Sequence, residues 1–155
     1  MSDDVLSIIP SDPWWQPDHD AADRVIALVE ELTPGLADGV GVEIDVRWHD
    51  VVTFVDCGVN LEGIGSPLCQ ASIGTEWWGD LLGSDCDGGF TTLATEVPCC
   101  GGSTTLDALE YDWPCGFARF EIAIWNPERH WFSEDELTAL ADRLGHQVKQ
   151  IRAHI

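Results

Sequence analysis

The stretch "FARFEIAIWNP", residues 117–127, decides the fold class. Phe120, Ile122 and Ile124 alternate with Arg119, Glu121 and Ala123. That period of two belongs to a strand with two different faces, and Asn126-Pro127 ends it. A second alternation, "VGVEIDVRW" (40–48), sets Val42, Ile44, Val46 and Trp48 against Glu43, Asp45 and Arg47. His49-Asp50 then reads as a hairpin tip, with "VVTFVDCG" returning as the next strand and "FTTLATEV" (90–97) as a further one.

Helical periodicity brackets these strands. From about Ala21 to Leu32, Val25, Ile26, Leu28, Val29 and Leu32 fall on one face, acids precede them, and Pro34-Gly35 follows. Ser133 to Glu136 has the S-x-x-E form of a capping box. The stripe Leu137, Leu140, Ala141, Leu144, Val148, Ile151 and Ile155 then predicts one helix to the last residue, with Lys149 and Arg152 complementing its dipole. "TEWWGDLL" predicts a short helix that buries Trp77, Trp78, Leu81 and Leu82. The expected fold is α+β: an antiparallel sheet flanked by N- and C-terminal helices, in one domain over residues 1–155. Residues from about 58 to 116, rich in Gly, Ser and Cys, are too long for an ordinary loop and read as a structured insertion.

Charge narrows the partners. The net charge is −21, and residues 48–118 contain eleven acids with no Lys or Arg. An anionic field of that extent repels nucleic acid and acidic membrane surfaces and favours cations or a basic protein partner. An acid-rich proteome is the alternative source of the same charge. Trp14-Trp15, Trp77-Trp78, Trp113, Trp125 and Trp131 supply core material or apolar anchors for such a partner. The first twenty residues have neither a basic n-region nor an apolar h-region, and no run is long enough to span a membrane, so a cytoplasmic location is expected.

In a reducing compartment six cysteines point to thiols or metal ligands rather than disulfides. "GSPLCQAS" carries Cys69, and "VPCCGG" carries Cys99 and Cys100. A zinc knuckle sets two thiolates three positions apart around a tight turn, and here Ser66 stands where the first would be. Neighbouring strand residues point to opposite faces, so Cys99 and Cys100 reach one ion only if the backbone turns, which Gly101-Gly102 permits. Cys57, Cys86, Cys115, a histidine or water is left as the fourth ligand. The alternative is a metal-free insert with the three cysteines packed as small apolar residues.

From "SPLC" through "PCCGG" to "LEYDWPCGFARFEIAIWNP" the chain resembles a group of small uncharacterised bacterial proteins. In these a C-P-x-C knuckle, a P-C-C-G and a W-P-x-G-F-A segment before N-P occur in that order. The likeness covers about the second half of the chain and is strongest from Pro98 to Pro127. It implies a zinc-ribbon-like insert in an α+β domain, with Cys69, Cys99 and Cys100 at the cysteine positions and departures at Ser66 and Gln70.

Other motifs fail on their residues. "DCDGGFTTLATE" (85–96) has Gly89 and Phe90 at the fifth and sixth positions of a calcium loop, where an oxygen ligand and a glycine are required. No C-x-x-C redox motif, P-loop or dinucleotide fingerprint is present, and the five histidines join no catalytic pattern. Three functions remain: a non-catalytic acidic binding protein of inhibitor or immunity type, a zinc-binding protein with a structural or transfer site, and an enzyme using carboxylates or thiols.

Overall fold

The computed structural model describes residues 4–34, 42–55, 63–85, 92–113, 115–127, 129 and 131–154. A four-stranded antiparallel sheet carries the molecule. Its strands are β1 (Asp4–Pro10), β2 (Glu43–Val55), β8 (Gly116–Trp125) and β9 (Val148–His154), in the order β2-β8-β1-β9. Helix α1 (His19–Leu32) joins β1 to β2, and α3 (Glu134–Leu144) joins β8 to β9. Each helix crosses over one intervening strand, which gives the split β-α-β topology of ferredoxin-like domains. Antiparallel sheets with helices near both ends of the chain make this α+β.

The core lies between the helices and one sheet face. Leu6 and Ile8 of β1 pair with Ile124 and Ile122 of β8, and all four side chains are buried with Phe120 against Val25 and Val29 of α1 and Leu140 and Leu144 of α3. Asp18 caps α1 by accepting a hydrogen bond from the Ala21 N–H at 2.7 Å. The capping box at Ser133 is formed: its hydroxyl accepts from the Glu136 N–H, and the Glu136 carboxylate accepts from the Ser133 N–H.

Three expectations are corrected. First, β1 was not anticipated as a strand. It lies between β8 and β9, so nearly all its residues are buried and "VLSIIP" shows no alternation. Second, His49-Asp50 is not a hairpin tip. Strand β2 runs through it, and both halves pair with β8. Between Trp48 and Thr53, five steps on β2 face two steps on β8, from Phe120 to Ala118. The irregularity frees carbonyls, and the Gln16 side-chain amide donates to two of them, His49 and Arg119, at 2.9 Å each. Third, the last helix stops at Leu144. Gly145 adopts φ 85° and its N–H caps the Ala141 carbonyl, after which the chain extends as β9. Lys149 and Arg152 therefore lie on a strand. Arg152 reaches Asp4 at 3.7 Å instead of complementing a helix dipole.

Between the end of β2 and the start of β8 the chain builds two small sheets. Strands β3 (Ile64–Gly65), β4 (Ser72–Ile73) and β7 (Glu110–Tyr111) form one, in the order β4-β3-β7. The hairpin of β5 (Ala94–Glu96) and β6 (Ser103–Thr105) forms the other, so only part of the anticipated 90–97 strand is extended. Helix α2 (Thr75–Asp85) lies between them in sequence. Trp77 and Trp78 are half-buried, and the Leu81 and Leu82 side chains lie outside the described residues. Val52, Ile64, Ile73, Leu93, Val97, Leu106, Leu109 and Phe117 make a second core. Phe54 meets Trp78 edge-on and also contacts Phe117, which ties this core to the main sheet.

The loop before α3 is fixed by a bidentate ion pair. Arg129 donates to both carboxylate oxygens of Glu136 and also to the Leu32 carbonyl at the end of α1. Its guanidinium, together with the Ser133 N–H, holds the Glu136 carboxyl below the usual carboxylate range. The folded pKa lies below the unfolded value of about 4.3, so this contribution to stability is complete above that pH and is lost as the pH falls through the folded pKa. Glu136→Gln is expected to lower unfolding free energy by about 1 kcal/mol at pH 7. Urea titrations of both chains should show the gap narrowing below about pH 4, and a pH-independent gap would exclude the ion pair as its source.

Candidate metal centre

The cysteines sit on two turns of the same construction. The first, "SPLCQA" (66–71), joins β3 to β4, and the second, "VPCCGG" (97–102), joins β5 to β6. In the first, the Ser66 N–H donates to the Ala71 carbonyl at 2.9 Å and the Gln70 N–H to the Ser66 carbonyl at 3.0 Å. In the second, the Val97 N–H donates to the Gly102 carbonyl at 3.0 Å and the Gly101 N–H to the Val97 carbonyl at 2.9 Å. Each has proline second and a left-handed residue fifth, Gln70 at φ 64° and Gly101 at φ 70°. Proline presets the entry to the turn. Glycine accepts the left-handed position freely, whereas glutamine adopts it at a cost of about 1 kcal/mol.

The positions of the two turns differ in burial. The first positions point inward: Ser66 is fully buried and Val97 belongs to the second core. The fourth positions, Cys69 and Cys100, and the third position of the second turn, Cys99, are exposed. The third position of the first turn is Leu68, which lies over Gly102 and leaves little room for a side chain there. The Ser66 hydroxyl accepts from the N–H groups of Leu68 and Cys69 at 3.2 and 3.4 Å. These are the donors that a thiolate at the first position of a knuckle would receive.

The three predicted residues are brought together. The Sγ atoms of Cys69, Cys99 and Cys100 all lie within 4.8 Å of one another, and those of Cys69 and Cys99 are 3.1 Å apart. Thiolates at about 2.3 Å from a tetrahedral ion stand about 3.8 Å from each other, so a small adjustment of the side chains brings all three to one ion. The cluster could therefore hold a metal. Its exposure corrects the alternative in which the cysteines were buried as apolar packing. Cys115 is buried in a separate core and is not a member of the cluster, whereas Cys57 and Cys86 lie outside the described residues. Among the described residues no histidine joins the cluster.

The sulfurs also differ electrostatically. The Cys99 thiol hydrogen-bonds to Cys69, and with the Ala71 N–H and the Ser66 hydroxyl it lowers the Cys69 pKa to about 7. The same contact pushes Cys99 upward. Residues 66 and 97 were the positions that sequence reading left without a common role. The signal was present as the shared x-Pro-x-Cys of the two turns, six residues each, too short to stand out as a repeat.

Elsewhere, a cavity of about 350 Å³ is bounded by Glu30, Thr33, Pro34, Val42 and Ile44, and it offers one carboxylate. No helix among the described residues is long and apolar enough to cross a membrane. No protein-family model matches the chain, and no curated protein or solved structure does.

Alkylation of the reduced, metal-free chain checks the thiol assignments. Cys69 should react first, with a half-maximal rate near pH 7, Cys99 should require higher pH, and Cys115 should stay protected until the protein unfolds. In Cys99→Ser the Cys69 midpoint should rise toward the ordinary thiol range. Peptide mass mapping across a pH series reads all of these.

Proposed function

We propose that this chain is a zinc-binding protein whose ion is held by Cys69, Cys99 and Cys100, with the fourth position left to the Ser66 hydroxyl or to an exchangeable ligand. The observation that carries the reading is the convergence of three exposed sulfurs from two matched turns. Three thiolates suit a soft or borderline ion better than magnesium or calcium, which take oxygen ligands. A hydroxyl is a poor zinc ligand beside thiolates, so the site resembles an open exchange or transfer site more than a closed structural one. The net charge of −21 favours the approach of cations. The reading agrees with the zinc-ribbon-like insert that the resemblance of the second half of the chain implies, and it calls for a compartment such as the cytoplasm, where thiols stay reduced.

Metal analysis of protein purified without chelator, and after zinc reconstitution under reducing conditions, should find about one equivalent per chain. Cobalt substitution should give the thiolate charge-transfer absorption of a three-sulfur site. Ser66→Cys is expected to bind zinc about tenfold more tightly or better, because it adds a fourth thiolate where the backbone donors already point. Less than about a tenth of an equivalent after reconstitution would overturn the reading.

A second reading, an acidic protein of inhibitor or immunity type that engages a basic protein, is favoured by one observation. Glu76, Asp80, Glu96, Asp107 and Glu110 are exposed on an insert that contains no Lys or Arg. Capture from lysate at low ionic strength should retain one basic partner that is released near 1 M salt, where the Debye length is about 3 Å. An empty pull-down at low salt removes this reading without touching the first.

A further inference from the structure

Two of the three sulfurs are in direct contact across the turns. Cys69 Sγ and Cys99 Sγ are already 3.1 Å apart, in hydrogen-bond contact, and both residues are exposed. A disulfide needs about 2.05 Å between sulfurs, so closure requires an approach of about 1 Å, within reach of side-chain torsions. The competing vicinal pair, Cys99 and Cys100, is disfavoured by its backbone. Consecutive Cα atoms across a trans peptide stand about 3.8 Å apart, below the usual disulfide range of about 4.4 to 6.8 Å. The sequence contains no C-x-x-C, yet the fold assembles a neighbouring thiol pair from residues on different hairpins.

We propose that Cys69 and Cys99 form a reversible disulfide between the two turns, a redox site that uses the same sulfurs as the metal. The oxidant is hydrogen peroxide, which an exposed pair admits. One sulfur attacks the peroxide oxygen, the O–O bond breaks, and a sulfenic acid forms with release of water. The second sulfur attacks the sulfenic sulfur, the S–O bond breaks, and a second water leaves as the S–S bond forms. In total two thiols lose two electrons and two protons, and the peroxide takes up both. A small thiol reverses the reaction by exchange through a mixed disulfide and is itself oxidised to a disulfide. Cys100 stays reduced throughout.

The disulfide stands on the distance between the two sulfurs. Its consequence for zinc rests on the metal-binding reading above: two of three thiolates leave the coordination sphere at once, and a single remaining thiolate releases the ion with its charge unchanged. The anchors of each turn lie in the backbone and in the buried first residues, so exchange between the two states requires no unfolding of either hairpin.

The experiment uses the full chain in two forms. The reduced, metal-free chain is treated with stoichiometric hydrogen peroxide, alkylated, and digested without reductant. The expected result is loss of two hydrogens and one cross-linked peptide joining Cys69 to Cys99, with Cys100 alkylated. A predominant link through Cys100, or no link, overturns the proposal. Cys100→Ser should leave the cross-link intact, and Cys69→Ser should leave a sulfenic acid on Cys99 that a cyclic 1,3-dione traps. The zinc-loaded chain is oxidised in parallel with a chromogenic chelator present, and about one zinc should be released per disulfide formed. A disulfide formed with zinc retained overturns the competition. A disulfide in a chain that never takes up zinc sinks the metal reading and leaves the redox site, whereas bound zinc without any disulfide does the reverse.

Discussion

Strand β1 is hydrogen-bonded on both edges, to β8 and to β9, and most of its side chains are buried. Backbone donors and acceptors in such a position have no access to water, so they must all be paired by neighbouring strands. That requirement brings the beginning and the end of the chain together around residues 4–10, and it places β2 on the outer side of β8. Helices α1 and α3 then cover one face because each has to return the chain across an intervening strand. The burial of Leu6, Ile8, Phe120, Ile122 and Ile124 beneath them is the main apolar contribution to stability.

The insert hangs from the outer pair, β2 and β8. Its elements are two or three residues long where they are strands, too short to be stable as isolated hairpins. Two things hold them: the second core around Val52, Val97 and Phe117, and the aromatic contacts of Phe54 and Trp78. Packing there points the first residue of each turn inward and the cysteines outward. The cysteine cluster is thus a consequence of burying Ser66 and Val97.

On the two proposals made for the cluster, one set of sulfurs would serve two kinds of chemistry. As three thiolates they suit a thiophilic ion, and as a close thiol pair with a third sulfur beside it they suit two-electron oxidation. The two uses exclude each other because both need Cys69 and Cys99. In the proposed site the fully buried Ser66 hydroxyl would stand in the place of a fourth thiolate without its coordinating strength, so a bound ion would be less firmly held than in a four-sulfur site. The ferredoxin-like topology adds nothing to this choice, since the same frame serves many activities.

Periodicity in the sequence determined the elements whose faces differ. The alternation of 117–125 gave β8, whose two faces differ in chemistry although both are buried, the stripe of 21–32 gave α1, and the S-x-x-E at Ser133 marked the start of α3, each a local pattern. Strand β1 could not be read that way, because it is buried on both faces and, Ser7 apart, residues 5–9 are apolar on both, so no alternation shows. Strand β9 was hidden for the opposite reason: Val148 and Ile151 happen to continue the helical stripe of Leu137 to Leu144, and only Gly145 in its left-handed conformation separates them. Cys69, Cys99 and Cys100 were legible as metal-ligand chemistry from residue type and nearby glycines. That their sulfurs meet, and that Cys69 and Cys99 come into hydrogen-bond contact, was decided by tertiary structure. Each turn fixes only its own backbone, whereas the distance between hairpins depends on the shared core beneath them.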